Sequence, residues 1–319
     1  MKKAIITGIS GQDGAYLSEL LLSRGYTVYG FTRDIDEDNF WRLTYLGIRE
    51  KVKLVKCDLT DFSQMTSLIQ KILPDEIYNL AAQSSVSLSF KIPKDTLSFN
   101  LISVFNLLEA IRIVKPDVKF YQASSSEIYG DAQVLPITEK TILNPVSPYA
   151  ISKASGFWMT KNYREAYNLF TCSGILFNHE SYLRAENFFI KKVIRESIAI
   201  SKGLQEVLKV GNLEVKRDFG SAKHYVEMMY LMLQHKKPDD FLICSGVSIK
   251  LSDIIEYVFE YLGISMNKCV IDEELYRPLE IHEIYGDSSK AKKELGWQYD
   301  LEFKSVIIEL IQEELKNWK

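Results

Sequence analysis

The fold of this chain is decided near its N-terminus, by the stretch Lys3-Ala4-Ile5-Ile6-Thr7-Gly8-Ile9-Ser10-Gly11-Gln12-Asp13-Gly14. The short apolar run at its start predicts a buried strand. The glycines recur at every third position (8, 11 and 14), where they allow a tight turn and let backbone N–H groups approach a pyrophosphate. The stretch therefore predicts the strand, turn and helix that open a dinucleotide-binding domain, with an ordinary strand–helix turn as the alternative.

Strand-like and helix-like segments alternate through the first half of the chain. This alternation predicts an α/β fold with a parallel sheet and helices on both faces, and right-handed crossovers make it a doubly wound (Rossmann) sheet. The expected strands are Ala4–Thr7, Thr27–Thr32, Lys53–Lys56, Glu76–Leu80, Val118–Gln122 and Thr171–Phe177. The helical segments between them include Ala15–Arg24, Phe62–Ile72, Ser98–Val114 and Ala150–Tyr167.

The alternation breaks after Phe177, and a smaller, mainly helical substrate lobe is expected. We assign residues 1–177 plus about 213–247 to the dinucleotide-binding domain, and residues 178–212 plus 248–319 to a nucleotide-sugar-binding lobe. Expected strands are Val207–Val210 and Phe241–Cys244, with a polar segment at Gly211–Gly220. Expected helices are Glu186–Lys202, Tyr225–Gln234, Ser252–Leu262, Ser289–Leu295 and Lys304–Trp318.

Composition limits the class of protein. The 39 basic and 42 acidic residues give a net charge of −3, which argues against a nucleic-acid binder that relies on backbone charge. The four cysteines are scattered without a CxxC pair, which indicates free thiols and a cytoplasmic protein. No apolar stretch is expected to reach the roughly 20 residues that span a bilayer, so no membrane partner is expected.

The residues after the second and third strands bear on the choice of dinucleotide. An NAD site usually places an acid at the end of the second strand, whereas here Arg33 precedes Asp34. Arg33 suits a 2′-phosphate, so we expect NADP rather than NAD, with a solvated surface charge as the alternative for Arg33. Asp58 and Leu59 are expected near the adenine. The small residues of Asn79–Ser84, which include Leu80, Ala81 and Ala82, are expected under the nicotinamide.

The chemistry is expected between Ser125 and Lys153. Tyr149 and Lys153 are four residues apart in a predicted helix, which places them on one face. An ammonium there favours the phenolate and brings a phenol of pKa about 10 closer to working pH. With the Ser125 hydroxyl such a tyrosine can exchange a proton with a substrate alcohol, and Glu127 adds a second acid–base group.

Several longer motifs resemble one family. They are residues 7–17, 121–127 and 174–181, then Gly211-Asn212-Leu213, Lys216-Arg217-Asp218, Arg277-Pro278-Leu279-Glu280, Gly286-Asp287 and Leu295-Gly296-Trp297. They are similar to the extended short-chain dehydrogenase/reductases that modify nucleotide sugars, and within these to the GDP-mannose 4,6-dehydratases. The resemblance covers essentially the whole chain. Epimerases of this superfamily usually have a small residue after the serines, whereas dehydratases and some decarboxylases have Glu, as at Glu127; a solvated loop carboxylate is the alternative.

The resemblance implies a mechanism. Tyr149, assisted by Lys153 and Ser125, removes the proton of the hexose C4 hydroxyl while hydride passes from C4 to the nicotinamide. Glu127 then abstracts the C5 proton, and water leaves from C6 with a proton from Glu127 or a nearby acid. Hydride returns to C6, and C5 is reprotonated. The implied activity is that of an NADP-dependent hydro-lyase.

The resemblance also implies the nucleotide-sugar site. Lys192, Arg217 and Arg277 would neutralise the diphosphate, Asn178 would contact the sugar or diphosphate, and Glu280 would accept hydrogen bonds from a ribose or base. A surface salt bridge is the alternative for each basic residue. The substrate set is completed by Ser84, Ser126 and Gly211. The cofactor set comprises Gly8, Gly11, Gln12, Asp13, Gly14, Arg33, Asp58, Leu59, Leu80, Ala81, Ala82, Tyr149, Lys153 and Arg184.

The chain departs from the family pattern at four places. Ser125 stands where the family usually has Thr, and Asp34 replaces a second Arg. Residues 182–185 read Tyr-Leu-Arg-Ala instead of Pro-Arg-Arg-Gly, in a segment associated with the cofactor of a neighbouring subunit, and the segment between Gly263 and Arg277 is short. We therefore leave the sugar open between GDP-mannose and GDP-N-acetylglucosamine, and we expect a homodimer or homotetramer.

Three other functions stay open as alternatives. They are a nucleotide-sugar 4-epimerase, a decarboxylase, and a non-catalytic NADP-binding sensor on the same fold. Glu127 argues against the epimerase, no added arginine suits a uronic acid, and sensors typically lose the Tyr or the Lys. The four histidines show no HExxH spacing, so no metal is expected.

Overall fold

A seven-stranded parallel sheet forms the larger part of the computed structural model, which describes residues 1–318 apart from the side chains of Glu37 and Asp38. Its strands are β1 (Lys3–Thr7), β2 (Thr27–Thr32), β3 (Lys53–Lys56), β4 (Glu76–Asn79), β5 (Lys119–Ser125), β6 (Thr171–Leu176) and β10 (Phe241–Ile243). They lie in the order β3-β2-β1-β4-β5-β6-β10, and all neighbours are parallel. The predicted doubly wound α/β fold is confirmed.

Helices cover both faces of this sheet. They are α1 (Gln12–Ser23), α2 (Trp41–Tyr45), α3 (Phe62–Ile72), α4 (Val86–Lys91), α5 (Pro93–Val114), α6 (Pro148–Tyr167) and α8 (Ala222–Gln234). In β1, Ile6 packs into the core under α1 and α8, while its neighbour Ile5 packs into the core under α3 and α5. Because both faces are covered, the central strands do not alternate between buried and exposed residues.

The start of α6 is fixed locally, and this helix carries Tyr149. The Ser147 hydroxyl accepts a hydrogen bond from the Ala150 N–H at 3.0 Å. Pro148 occupies the first helical turn, where its missing N–H has no intrahelical partner to lose. The local sequence therefore sets where Tyr149 enters the helix.

The smaller lobe is built on a second sheet and a helical layer. Strands β7 (Asn178–Glu180), β9 (Lys216–Ser221), β11 (Ser248–Lys250) and β13 (Glu283–Ile284) form a four-stranded sheet, and β8 (Leu208–Val210) pairs with β12 (Cys269–Ile271). The helices are α7 (Phe189–Ser201), α9 (Leu251–Leu262), α10 (Ser289–Leu295) and α11 (Phe303–Lys316). The packing of α7, α9 and α11 encloses a third apolar core.

Two parts of the second-half prediction differ from the structure. The polar segment Gly211–Gly220 contains most of β9, the central strand of the smaller sheet, and β7, β11, β12 and β13 were not predicted. The segment 213–247 also divides, because β9 joins the smaller sheet while α8 and β10 pack with the larger one. The side chains of Arg217 and Asp218 are buried within β9, where Arg217 bonds to Glu280 and Asp218 to Ser245. The sequence of β9 therefore does not read as an apolar strand.

One helix changes the expectation about apolar length. The α5 helix is long and apolar enough to span a membrane by length and composition, contrary to the expectation that no stretch would be. It packs against α3 and α6 in the apolar layer on one face of the larger sheet. All four cysteines are free thiols, and Cys57, Cys172 and Cys244 are buried.

Candidate active site

The glycine turn after β1 leaves no room for side chains. Gly8 has a φ of +70°, and a Cβ there would lie 2.9 Å from the Ala81 backbone nitrogen. A Cβ on Gly14 would lie only 2.4 Å from the Gly8 carbonyl oxygen. The turn leads into α1, whose N-terminal residue Gly11 offers no capping side chain, so the first N–H groups of the helix remain available to an anion. This cradle fits a pyrophosphate.

A groove of about 460 Å³ runs from this turn across the carboxyl ends of β2 and β3. Most of the predicted cofactor residues line it: Gly8, Gly11, Gln12, Asp13, Gly14, Arg33, Leu59, Leu80, Ala81, Ala82 and Arg184. Asp58 does not line the groove, although Cys57 and Leu59 on either side of it do. Its carboxylate instead accepts hydrogen bonds from the Thr60 N–H and hydroxyl at 2.9 and 2.7 Å, which lower its pKa.

Arginines gather along the groove. Arg33 is exposed and its guanidinium lies 5.5 Å from the centre of the Phe99 ring. Arg42, which sequence reasoning missed, donates to the Ser10 carbonyl at 3.0 Å and the Leu183 carbonyl at 2.6 Å. Burial and the nearby Arg184 guanidinium lower the pKa of Arg42. Arg42 thereby ties the glycine turn to the segment at residues 182–185.

The segment at residues 182–185 divides between the core and the cavities. The Tyr182 ring packs against Trp41 and Tyr45, and Leu183 is fully buried. Arg184 lines both the groove and the adjoining cavity, and Ala185 lines the groove. The two residues that differ most from the family pattern therefore lie away from the cavity that holds Tyr149.

That second cavity, of about 370 Å³, adjoins the groove and shares Leu80, Ala82 and Ser84 with it. The structure brings Ser125, Glu127, Tyr149 and Lys153 together in its wall. The Lys153 ammonium donates to the Ala123 carbonyl at 2.8 Å and lies 5.8 Å from the centre of the Tyr149 ring. Four chemically useful groups from β5, the turn after it and α6 thus face one space.

The expectation that the Lys153 ammonium brings the pKa of Tyr149 closer to working pH was wrong. Burial raises it to about 12, although the Ser125 hydroxyl acts in the opposite direction. Burial also lowers the pKa of Lys153 to about 8. The reason is that the shared burial of both groups outweighs the attraction between an ammonium and a phenolate.

Glu127 belongs to a chain of alternating charges. Its carboxylate lies 3.6 Å from Arg277, which lies 3.7 Å from Glu280. Glu280 accepts a 2.9 Å hydrogen bond from the buried Arg217. All four side chains line the second cavity. With two cations and two carboxylates, this row of charged side chains can exchange its internal ion pairs for contacts with an anionic ligand.

The other predicted substrate residues are spread around the same cavity. Asn178 donates to the Asp218 carbonyl at 3.3 Å, and Lys192 donates to the Lys209 carbonyl at 2.7 Å. Both line the cavity, as do Ser84 and Gly211. Ser126 does not: it is buried, whereas Ser124 and Ser125 line the cavity. Among the described side chains, no group of three or more His, Cys, Asp or Glu is arranged to hold a metal ion.

The fold and this site define a class of protein, the extended short-chain dehydrogenase/reductases. Solved structures share the fold. The dTDP-glucose 4,6-dehydratase from Bacillus anthracis, solved with NAD, is 21% identical, with a TM-score of 0.86 and coverage of 99% of this chain and 97% of that one. The protein RMD from Pseudomonas aeruginosa, complexed with NADPH, is 24% identical, with a TM-score of 0.81 and coverage of 98% of both chains.

Sequence comparison narrows the class to one family. The family model described as GDP-mannose 4,6 dehydratase matches residues 5–310. GDP-mannose 4,6 dehydratase 2 of Arabidopsis thaliana is 44% identical over 326 residues, which cover 99% of this chain and 87% of the relative. The chain belongs to the GDP-mannose 4,6-dehydratase family, and the resemblance seen in its motifs is confirmed.

Proposed function

We propose that this protein is a nicotinamide-dinucleotide-dependent GDP-mannose 4,6-dehydratase, a hydro-lyase that makes GDP-4-keto-6-deoxymannose. The observation that carries the proposal is the position of Glu127, in one cavity with Ser125, Tyr149 and Lys153 and beside the groove that fits a dinucleotide. A 4-epimerase needs a tyrosine to exchange the C4 hydroxyl proton and a nicotinamide to take the hydride, but it needs no carboxylate such as Glu127. The name shared by the relatives supports the same choice.

Tyr149 is the group that exchanges a proton with the sugar C4 hydroxyl. Burial raises the pKa of this phenol, and two groups oppose that rise by favouring the phenolate that accepts the proton: the Ser125 hydroxyl and the Lys153 ammonium, one helical turn away. The bound cofactor supplies a hydride acceptor for C4 and later a hydride donor for C6. When hydride adds to C6, C5 takes up a proton, which balances the proton that Tyr149 removed from the C4 hydroxyl. Because the hydride is returned, the reaction has no net oxidation.

Glu127 carries the elimination. A ketone at C4 acidifies the C5 hydrogen, and the Glu127 carboxylate removes it as a proton. The electron pair of the broken C5–H bond then forms the C5–C6 double bond as the C6 hydroxyl leaves. Glu127 returns its proton to that hydroxyl, which departs as water, so one carboxyl group serves as base and then as acid.

The alternating charges around Glu127 suit the diphosphate of a GDP-sugar. Arg217 is paired with Glu280, and Arg277 with Glu127 and Glu280; both guanidinium groups can direct N–H donors at a diphosphate. Lys192 adds a third cation at the same wall, with Asn178 nearby. Glu280 is then free to accept hydrogen bonds from the ribose or the base.

The sugar we propose is mannose rather than N-acetylglucosamine. Two departures from the family pattern left a 2-acetamido sugar open: the altered segment at residues 182–185, expected to reshape the sugar pocket, and the short segment between Gly263 and Arg277. Tyr182 and Leu183 pack away from the cavity that holds Tyr149, and only Arg184 of this segment lines it. The altered residues therefore give no reason to depart from the substrate named for the relatives.

The cofactor we propose is NADP. Arg33 stands beside the groove with no carboxylate within ion-pair distance among the described side chains, so it can take a 2′-phosphate. Asp34 beside it weakens the preference, and NAD is the alternative. The roles of the other groove residues follow the turn geometry: the backbone at Gly8, Gly11 and Gly14 takes the pyrophosphate.

We further propose how the chain is divided and assembled. Residues 1–177 and 222–244 hold the dinucleotide, and the remainder holds most of the GDP-sugar.

The outer face of α5 and α6 is apolar and exposed, at Ile102, Phe105, Ile151 and Trp158, and suits a homodimer contact in a cytoplasmic enzyme. Light scattering of the purified protein tests the oligomer, and Trp158→Glu is expected to yield monomer.

The function is tested by incubating the purified protein with NADP and either GDP-mannose or GDP-N-acetylglucosamine. We expect GDP-mannose alone to give a product lighter by one water, as measured by mass spectrometry. Tyr149→Phe should abolish turnover while leaving the fold intact by circular dichroism. Water loss only from GDP-N-acetylglucosamine, or full activity in Tyr149→Phe, contradicts the proposal.

A further inference from the structure

His179 has only hydrogen-bond acceptors at its two ring nitrogens. Nδ1 lies 2.7 Å from the Phe177 carbonyl oxygen, and Nε2 lies 2.9 and 3.0 Å from the two Asp13 carboxylate oxygens. A neutral imidazole carries one proton and can donate to only one of these partners. Both contacts are satisfied when the ring is an imidazolium and Asp13 is ionised.

The surroundings agree with this charge state. His179 is 6% exposed, and burial disfavours its charge, but the Asp13 carboxylate outweighs burial and raises the pKa of His179. His179 in turn lowers the pKa of Asp13. The other ionisable groups that face the ring are Glu180 and Arg184, which oppose each other in sign, and Tyr225, whose ring lies 5.0 Å away.

The pair joins the two halves of the site. Asp13 lies in the first turn of α1, at the glycine turn, and lines both cavities. His179 lies in β7 of the smaller sheet. Two further bonds run in parallel, because the Gln12 amide donates to the His179 carbonyl at 3.2 Å and the Ser181 hydroxyl donates to Gln12 at 2.6 Å. The turn and β7 are thus fastened together.

The charge of Asp13 is a problem for a dinucleotide site. A helix N-terminus favours an anion, and a carboxylate in the first turn competes with a pyrophosphate for that field and repels it. A cation on its other side cancels this repulsion. No ion pair other than that with His179 is formed by Asp13 among the described residues.

We propose that His179 is a positioning residue for the cofactor: a buried imidazolium that neutralises Asp13 beside the pyrophosphate and fastens the glycine turn to β7. The proposal rests on the dinucleotide site proposed above. It assigns His179 no contact with the reacting atoms. It acts through the electrostatic field at the glycine turn and through the position of that turn.

The charge state is tested on the wild-type protein by NMR with ¹⁵N-labelled histidine at pH 7.5. We expect His179, assigned by its loss in His179→Gln, to show protons on both ring nitrogens. In Asp13→Asn we expect only one, because an amide can donate to Nε2. A single ring proton in the wild-type protein overturns the proposal, whether or not the protein binds a dinucleotide or dehydrates a sugar.

The effect on the cofactor is tested by NADPH titration, followed by fluorescence. His179→Gln leaves Asp13 charged and unpaired, so we expect its Kd to rise at least about tenfold. The double variant Asp13→Asn/His179→Gln removes both charges and should bind NADPH clearly more tightly than His179→Gln, by about threefold or more. The control His282→Gln removes a surface contact of 2.9 Å to Asp131 and should change nothing. A double variant as weak as His179→Gln overturns the proposal.

Discussion

The groove and the cavity beside it are built in different ways. At the glycine turn, which forms one end of the groove, backbone atoms and small side chains form the wall, as at Gly8, Gly14 and Ala81, and a ligand phosphate would meet N–H groups. Around the cavity, charged side chains form the wall and hold one another, as Arg277 does between Glu127 and Glu280. The first surface has a fixed shape, and the second has an adjustable charge pattern.

The difference predicts how each region responds to change. A backbone-built wall fails when one methyl group is added, because nothing in it can move aside. A wall of paired charges keeps its shape after a substitution but changes the chemistry it supports, because each partner left unpaired redistributes the charge. Substitutions on the two sides should therefore separate binding of the cofactor from turnover of the sugar.

The largest effect is expected from Gly14→Ala. Its new Cβ would lie 2.4 Å from the Gly8 carbonyl oxygen and 2.8 Å from the Ile9 Cα, so the glycine turn must open. We expect no measurable NADPH binding in a titration followed by fluorescence. Gly156→Ala is the matched control, because its Cβ would meet only ordinary contacts at 3.6 Å or more in α6. Tight NADPH binding by Gly14→Ala would show that the backbone does not form the phosphate site.

Glu127→Gln tests the charged side. We expect kcat for GDP-mannose to fall by about 10²- to 10⁴-fold, because the amide cannot take the C5 proton. The Kd for NADPH should stay within about twofold of wild type, since the groove does not include this residue. Steady-state kinetics and the titration above measure the two numbers. A parallel loss of cofactor binding would mean that the two walls are not separable.

Arg277→Gln is expected to act mainly on KM. It removes one of the cations proposed for the diphosphate, at a side chain that is 31% exposed, so we expect KM for GDP-mannose to rise about tenfold. The Kd for free GDP should rise by a similar factor in calorimetry, whereas kcat should fall less. Lys268→Gln, outside both cavities, serves as the control for loss of one positive charge. An unchanged affinity for GDP would remove Arg277 from the diphosphate site.

The smallest effect is a pH-dependent change in stability in Lys153→Met. Burial holds the pKa of Lys153 near 8, so the folded protein releases this proton at lower pH than the unfolded chain does. The cost of the buried charge is therefore full below pH 8 and is relieved as the pH rises towards the ordinary lysine value.

In Lys153→Met that cost is absent, and the bond to Ala123 is lost as well. We expect a gain of about 2 kcal/mol in the free energy of unfolding at pH 7. The gain should shrink by pH 10, as measured by urea titration at both pH values. A gain that grows with pH would show that the ammonium is not the destabilising form.

The larger sheet was predictable because its strands are covered on both faces. Runs such as Lys3–Thr7 and Thr171–Leu176 are buried almost throughout, so they are short β-favouring runs with no exposed polar face. Strand β9 was not predictable for the opposite reason. Its Arg217 and Asp218 are buried but satisfied by Glu280, Ser245 and Gly246, partners that are remote in sequence.

The same reasoning separates the site residues that could be predicted from the sequence from those that could not. Tyr149, Lys153 and Glu127 are recognisable because the residue types and their spacing carry the chemistry locally. Arg42 is not, since its position depends on carbonyl groups of Ser10 and Leu183 that only the fold brings near. The predicted direction of the Tyr149 pKa shift was wrong, because a helical spacing shows proximity to a cation but not the burial that opposes its effect.

In the proposed reaction, hydride leaves C4 and returns to C6 of the same sugar while Glu127 eliminates water between C5 and C6. GDP-mannose that carries deuterium at C4, incubated with the purified protein and a catalytic amount of NADP, follows this transfer. We predict that NMR of the product shows deuterium at C6 and that no reduced cofactor accumulates. Deuterium lost from the product, or reduced cofactor formed in proportion to product, would contradict it.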